Sequence, residues 1–232
     1  MRGLGTAVNV ATVLVGTGAG VLVGPRLPDR LRTTVLQGVG LVTLALGIAN
    51  ATRTRNLVFP LAAVVAGGAL GELLRVEDGL EGLGAWLRRR LGVEEDQEGR
   101  RFVEGFVSAS LLFCVGPLTI LGSMSDGLGR GIEQLLVKAA LDGSVALVLA
   151  STLGVGVGLS ALCVLVVQGG ITAAAGLLTE VLDDRTVDEL TATGGIIILG
   201  IALRLLDLKQ VRVGSFLPAL VLAPVLVSLF AR

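Results

Sequence analysis

Two opposite charges lie one helical turn apart inside an apolar segment. Lys138 and Asp142 fall in VKAALDGSVALVLASTLG, whose other residues suit the middle of a lipid bilayer. A charge at the centre of a spanning helix costs from about 3 to above ~10 kcal/mol, so such residues are rare and usually functional. Their i, i+4 spacing puts both on one helix face, where they can pair and reduce each other's desolvation cost. The pair predicts a pathway for a polar solute or an ion.

Asp142 has three interpretations, which the sequence leaves open. It binds a proton or a cation during transport, with Lys138 tuning the carboxylate; it forms a static pair with Lys138 that fixes helix rotation; or it lines a water-filled vestibule. Other polar residues predicted to lie within the membrane are candidates for the same cavity or for contacts between helices: Asn9, Gln37, Asn50, Gln168 and Thr172.

A second unusual segment is FVEGFVSASLLFCVGPLTILGSMSDGLG. Gly116-Pro117 in its middle predicts a bend or break, because proline removes one helix hydrogen bond and clashes with the preceding turn. Ser123 and Asp126 add polar groups, and Asp126-Gly127 predicts a turn. A broken helix beside an intramembrane carboxylate suits an ion site, and a purely structural kink is the alternative.

Composition predicts an integral membrane protein. The 232 residues are 53% hydrophobic and 16% charged, with 19 basic and 19 acidic side chains, whereas a soluble domain is about one quarter charged. The balanced charge gives no sign of nucleic-acid binding. Histidine is absent, which removes most metal-site and general-base chemistry. No catalytic residue, cofactor or metal is predicted, and the chain is not expected to be an enzyme.

The apolar runs predict an all-α bundle of about eight transmembrane helices in a single domain, residues 1–232. A spanning helix needs about 20 apolar residues, and the candidates are roughly 4–24, 33–50, 57–74, 102–122, 133–153, 158–181, 190–206 and 213–231. The weakest boundary is the glycine-rich stretch 154–158; a long re-entrant element there would leave seven spans. Gly16, Gly20 and Gly24 recur at every fourth position, which predicts close helix packing.

Loop charges predict the orientation. With eight spans, twelve Lys and Arg residues fall on one side, among them Arg26, Arg88 and Arg212, and six on the other, from Arg2 to Arg232. The basic side is expected to be cytoplasmic, with both termini outside. The loop 75–101 is then cytoplasmic and contains an amphipathic helix, in the headgroup layer or as an ordinary connector. The loop 182–189 is an acidic outer loop, and Arg204 is expected to pair with Asp207.

Two segments look like copies of one another. In 33–74 and 190–227, Gly40 aligns with Gly195 and Pro60 with Pro218. Spans one to three would then resemble spans six to eight with the opposite orientation, as in the inverted repeats of many transporters. Pro60 and Pro218 are further candidate helix breaks. An accident of glycine-rich composition is the alternative.

Several blocks carry a family resemblance: FCVGPLTILGSMSDGL, KAALDG, STLGVGVGLSA, QGGIT, ATGGIII and LPALVLAP. The chain resembles, over its whole length, the YqgA/YdfK-type domain-of-unknown-function family 554 of bacterial inner membranes. The resemblance implies a polytopic inner-membrane protein with a supposed transport role and no established substrate. It carries the family's polar motif onto Asn9, Glu72, Ser123, Asp126, Lys138, Asp142 and Gln168. One departure is Ser215, where the family usually has Asn.

The leading hypothesis is a secondary transporter or ion-coupled permease for a small solute or inorganic ion, coupled to H⁺ or Na⁺. Its partners are the lipid bilayer and that solute, with homo-oligomerisation left open. The alternatives are a non-transporting membrane scaffold that binds a partner through 75–101, and a passive channel.

Overall fold

The fold is all-α, as predicted. The computed structural model describes residues 2–178 and 182–230, and over these the chain is helical without strands. Within these residues the ten α-helices are α1 (Leu4–Val23), α2 (Asp29–Ala51), α3 (Val58–Leu73), α4 (Val76–Arg90), α5 (Gln97–Cys114), α6 (Pro117–Gly127), α7 (Glu133–Leu153), α8 (Ser160–Leu178), α9 (Asp184–Leu205) and α10 (Pro218–Phe230).

The candidate spans follow the predicted ones. Among the described residues, six helical segments are long and apolar enough to cross a membrane, and eight are if each of two bent helix pairs counts as one span. The bends are 58° between α3 and α4 and 60° between α5 and α6. The stretch 154–158 is covered mainly by a short 3₁₀ helix, Val155–Leu159, between α7 and α8. The predicted ends of the sixth and eighth spans, at 179–181 and 231, and Arg232 lie outside the described residues.

The chain forms two compact units. Unit 1 comprises residues 1–39, 81–114 and 118–176, and unit 2 comprises 40–80, 115–117 and 177–232. The boundaries between the units fall within α2, α4 and α8, at the end of α5 and after the first residue of α6.

In unit 1, α1 and α7 run parallel with their backbones in close contact. A Cβ on Gly16 would lie 2.1 Å from the carbonyl oxygen of Gly143, and one on Gly20 would lie 2.2 Å from that of Leu147. Glycine removes the side chain at each crossing, so the two backbones can approach where lipid provides no hydrophobic drive for packing. The four-residue glycine spacing thus corresponds to a close helix contact.

In unit 2 the two main helix pairs run antiparallel. Gly40 and Gly47 of α2 face Leu206 and Leu199 respectively, so α9 runs against α2. In the same way Gly67 of α3 faces Ala219 and Gly71 faces Ser215, so α10 runs against α3.

These helix directions fit eight alternating spans. Parallel α1 and α7 suit spans one and five, and the antiparallel pairs suit spans two with seven and three with eight. If α7 and α8 together formed one span, α9 would run parallel to α2. The antiparallel direction is also what an inverted repeat requires, but the repeat itself stays a prediction.

The acidic segment 182–189 is mostly helix rather than loop. Helix α9 begins at Asp184, because Asp183 serves as its N-cap: the Asp183 carboxylate accepts the backbone N–H of Thr186 at 2.8 Å. A carboxylate at a helix start satisfies a free N–H and interacts favourably with the helix dipole. The helix therefore continues past the apolar run from which its start was predicted.

The predicted ion pair between Arg204 and Asp207 is wrong. Arg204 donates instead to Glu77 at 2.9 Å, and Glu77, which is 3% exposed, also accepts the backbone N–H of Gly214. Asp207 follows the end of α9 with a φ of 55°. The buried Glu77 carboxylate thus binds the arginine that was predicted to pair with Asp207.

The segment 75–101 contains the predicted helix, α4. Arg88 is buried rather than extended toward the surface: its guanidinium contacts the Glu94 carbonyl at 3.3 Å and Glu95 at 3.2 Å. Trp86, under the guanidinium of Arg90, is 47% exposed. Whether this helix lies in the headgroup layer stays a prediction.

Candidate functional site

The Lys138–Asp142 pair forms inside unit 1. The Lys138 ammonium donates to Asp142 Oδ2 at 2.5 Å, and the two side chains are 6% and 11% exposed. The same ammonium donates to the carbonyl oxygen of Phe113 at 2.7 Å. Lys138 therefore connects the carboxylate on α7 to the last turn of α5.

The Phe113 carbonyl is available because of Pro117. In an unbroken helix this oxygen would accept the N–H of residue 117, which proline lacks. Gly116, with a φ of 155°, permits the bend between α5 and α6, and Pro117 begins α6. The hydroxyl of Thr119 also donates to the Phe113 oxygen, at 3.2 Å. The predicted break at Gly116-Pro117 thus exposes a carbonyl that a buried cation and a hydroxyl occupy.

Asp142 also contacts α1. The amide nitrogen of Asn9, a fully buried residue, donates to Asp142 Oδ2 at 3.0 Å. Both hydrogen bonds to the carboxylate therefore end on Oδ2, and no described residue donates to Oδ1. Such a group has one oxygen committed to holding its position and the other free to take a proton or a cation.

A cavity of about 590 Å³ opens between α1, the end of α6 and α8. Its lining includes Thr6 from α1, Gly127 from α6, and Gly169 and Thr172 from α8, with Arg2 at the chain start. Asp142 is not among the described residues that line it. Asn9, which bonds to Asp142, follows the lining residue Thr6 by three residues on α1.

Three further predicted residues are buried near this cavity without hydrogen-bond partners. Ser123 and Gln168 are fully buried, and neither the Ser123 hydroxyl nor either polar atom of the Gln168 amide has a partner. The Thr172 hydroxyl, one turn after Gln168, is also unpartnered. Helices α6 and α8 touch at Gly127 and Thr172, and Ser123 and Gln168 each lie one helical turn before these contact residues.

Asp126 has a capping role. Its two carboxylate oxygens accept the backbone N–H groups of Gly3 and Gly5, each at 3.0 Å, at the start of α1. Helix starts expose such donors and favour a negative charge. Asp126 and Gly127 lie in the last turn of α6, and the turn predicted at these residues follows directly, at 128–129.

Pro60 and Pro218 mark helix starts rather than interruptions. Pro60 is the third residue of α3 and Pro218 the first of α10, where a missing N–H costs little. The carbonyls that they would leave free accept other backbone N–H groups: Phe59 donates to Asn56 at 3.0 Å, and Leu217 to Gly214 at 3.1 Å.

Sequence reasoning missed one buried acid, Glu189, in unit 2. It is fully buried, and its carboxylate accepts the Thr54 hydroxyl at 2.5 Å and the Arg55 N–H at 2.8 Å, just before α3. The first turn of α3 has no acidic residue of its own. This was the available signal that an acid from elsewhere in the chain takes that position. Glu77, also buried in unit 2, is a second acid that the sequence analysis did not single out.

Comparison with known proteins identifies the relatives. The family described as "Protein of unknown function (DUF554)" matches residues 4–228. The chain belongs to this family. It is 28% identical over 221 residues to "Uncharacterized protein YqgA" of Escherichia coli (strain K12), covering 95% of this chain and 94% of that protein. It is 30% identical over 227 residues to "Uncharacterized membrane protein YdfK" of Bacillus subtilis (strain 168), covering 96% and 95%. No solved structure matches.

DUF554 membership confirms the resemblance and supports a membrane protein with several apolar helices. The polar motif positions Asn9, Ser123, Asp126, Lys138, Asp142 and Gln168 all lie in unit 1 and are at most 8% exposed. Glu72 lies in unit 2, where it binds Arg212 at 2.7 Å and the Ser215 hydroxyl at 3.1 Å. Ser215 thus makes a polar contact to Glu72 within unit 2.

Proposed function

We propose that this chain is a secondary transporter that moves a small solute or inorganic ion with a coupling proton or cation. Asp142 carries the proposal, because its Oδ1 has no donor among the described residues while Oδ2 is held by Lys138 and Asn9. A buried carboxylate with an uncommitted oxygen offers a position where a proton or a cation can bind. Intramembrane ionisable residues commonly serve such exchange.

The surroundings of Asp142 supply an approach and a moving part. The cavity beside Thr6 and Thr172 leads toward Asn9, which bonds to Asp142. Lys138 bridges Asp142 to the Phe113 carbonyl at the bend of α5 and α6. Neutralising Asp142 would weaken its hold on Lys138 and so loosen the contact to this bend. Broken helices whose free backbone groups lie at an ion site are typical of secondary transporters.

The proposed location is the bacterial inner membrane, with both termini outside. The support is the twelve-to-six distribution of Lys and Arg over the two sides of an eight-span chain, since positive loops remain cytoplasmic. The cavity at the start of α1 would then open to the outside.

Flux through reconstituted liposomes tests the proposal. Purified protein is placed in vesicles that contain the pH dye pyranine, and sodium ions or members of a solute panel are added across an imposed pH gradient. We expect saturable, solute- or sodium-dependent pH changes with the wild type and their loss with Asp142→Asn. Asp188→Asn is the matched control. Asp188 belongs to unit 2, and its carboxylate pairs with the Arg55 guanidinium at a distance of 2.7 Å.

The outcomes separate the alternatives. Asp142→Asn with wild-type flux would remove this carboxylate from the mechanism. Unsaturable currents would indicate a channel. Absence of flux together with loss of cellular function on deleting 75–101 would indicate a scaffold.

A further inference from the structure

From the cavity and the polar atoms near it, we propose that the transported molecule is a small uncharged solute with both hydrogen-bond donors and acceptors, such as a polyol or a primary amide. This inference rests on the proposed function and assigns separate positions to solute and coupling ion. The solute would bind between α1, α6 and α8, and the proton or cation would bind at Asp142.

The first support is a cluster of polar atoms without protein partners. They are the hydroxyls of Thr6, Ser123 and Thr172, the amide oxygen of Asn9, and both polar atoms of the Gln168 amide. Buried polar groups without hydrogen bonds cost about 1–3 kcal/mol each. Water or a solute that enters the cavity would supply the missing partners.

The hydroxyls of this cluster differ from most others in unit 1. Ser144, Ser151 and Ser160 bond to carbonyls of the preceding turn at 2.7, 2.7 and 2.6 Å, which is the usual way to satisfy a hydroxyl in a helix. Thr6, Ser123 and Thr172 make no such bond although a carbonyl is within one turn. Thr17, Ser110 and Thr191 are likewise unpartnered, but they neither line the cavity nor lie within one helical turn of a described residue that does.

The second support is that the buried charges near this cluster already have partners in the protein: the Asp126 carboxylate accepts the backbone N–H groups of Gly3 and Gly5. Lys138 and Asp142, the charged pair below it, neutralise each other at 2.5 Å. Arg2 is the charged residue among those described in the lining, and it is exposed to solvent, where its field is screened. Amides and hydroxyls present donors and acceptors together, so they complement a neutral solute with both kinds of group.

The third support is the size of the space. The cavity of about 590 Å³ exceeds the ~30 Å³ of one water molecule about twentyfold and falls within the range of small-molecule sites. Thr6 and Thr172 line the cavity, and Gln168, which is fully buried, lies on α8 between the lining residues Leu165 and Gly169. Side-chain rotation on solute entry would bring them into contact.

Ligand-dependent thermal unfolding of the purified full-length protein tests the inference. The solutes are matched pairs that differ in charge: lactamide against lactate, and glycerol against 3-amino-1,2-propanediol. We expect the uncharged members to raise the unfolding midpoint by a few degrees in a saturable way. Gln168→Leu should weaken the apparent affinity by about tenfold or more, the effect of losing one or two hydrogen bonds.

Thr191→Val is the control variant, because Thr191 is also buried and unpartnered but lies on α9 in unit 2. It should leave the shift unchanged. The inference is overturned if only charged solutes shift the midpoint, if Arg2→Gln abolishes the shift while Gln168→Leu does not, or if no solute shifts it because water alone fills the site.

The two proposals fail separately. Flux of a charged solute that requires Asp142 would uphold transport and overturn the uncharged-solute site. Binding of lactamide or glycerol without any flux would uphold the uncharged-solute site and overturn transport.

Discussion

Replacing Lys138 by methionine should destabilise the protein more than replacing Lys138 and Asp142 together. Lys138→Met removes hydrogen bonds of 2.5 Å to Asp142 and 2.7 Å to the Phe113 carbonyl. The carbonyl keeps the Thr119 hydroxyl, so the main cost is a buried carboxylate without its cation, about 3–5 kcal/mol in the free energy of unfolding. Asp142→Leu should cost a similar amount.

The double variant Lys138→Met/Asp142→Leu removes both charges, and buried ion pairs can be replaced by apolar side chains at little cost. Its remaining defect is the Asn9 amide, which loses its acceptor, so we expect a cost of about 1–3 kcal/mol. The assay is unfolding in mixed micelles by SDS titration at pH 7, followed by far-ultraviolet circular dichroism. The exposed Lys209 provides the control variant Lys209→Met. Costs of the two single substitutions that simply add in the double variant would refute the coupling.

Two further predictions concern helix packing and capping. Gly16→Ala should lower the free energy of unfolding by about 1–3 kcal/mol, since its Cβ would lie 2.1 Å from the Gly143 oxygen; Gly18→Ala, which meets nothing within 4 Å, should not, as SDS titration can check. Asp183→Ala should destabilise α9 by about 0.5–1 kcal/mol. Hydrogen bonds from Thr186 hold the pKa of Asp183 below its ordinary value, so this contribution is complete above about pH 3.9 and is lost as the pH falls through the lowered pKa. Asp183→Asn should keep the cap but remove its pH dependence; equal pH profiles for this variant and the wild type would contradict the assignment.

Much of the fold could be predicted from the sequence because membrane spans depend on local composition. The apolar runs gave α7 with its observed bounds, 133–153, and the proline at 117 gave the break between α5 and α6. The i, i+4 spacing gave the Lys138–Asp142 pair, since both groups are on one helix and need no tertiary partner. Helix ends were less predictable: α9 starts at Asp184 because its cap, and not hydrophobicity, determines its first turn.

The sequence by itself determined the membrane-type all-α fold, the broken helix and the buried charge pair, because each follows from neighbouring residues. Only the tertiary structure decided which distant groups meet. It directed Asn9 to Asp142, Lys138 to the Phe113 carbonyl, Asp126 to the start of α1 and Arg204 to Glu77. A buried polar group is stable only when it has a hydrogen-bond partner. Where the sequence allows several partners, the packing of the helices determines which one the group contacts.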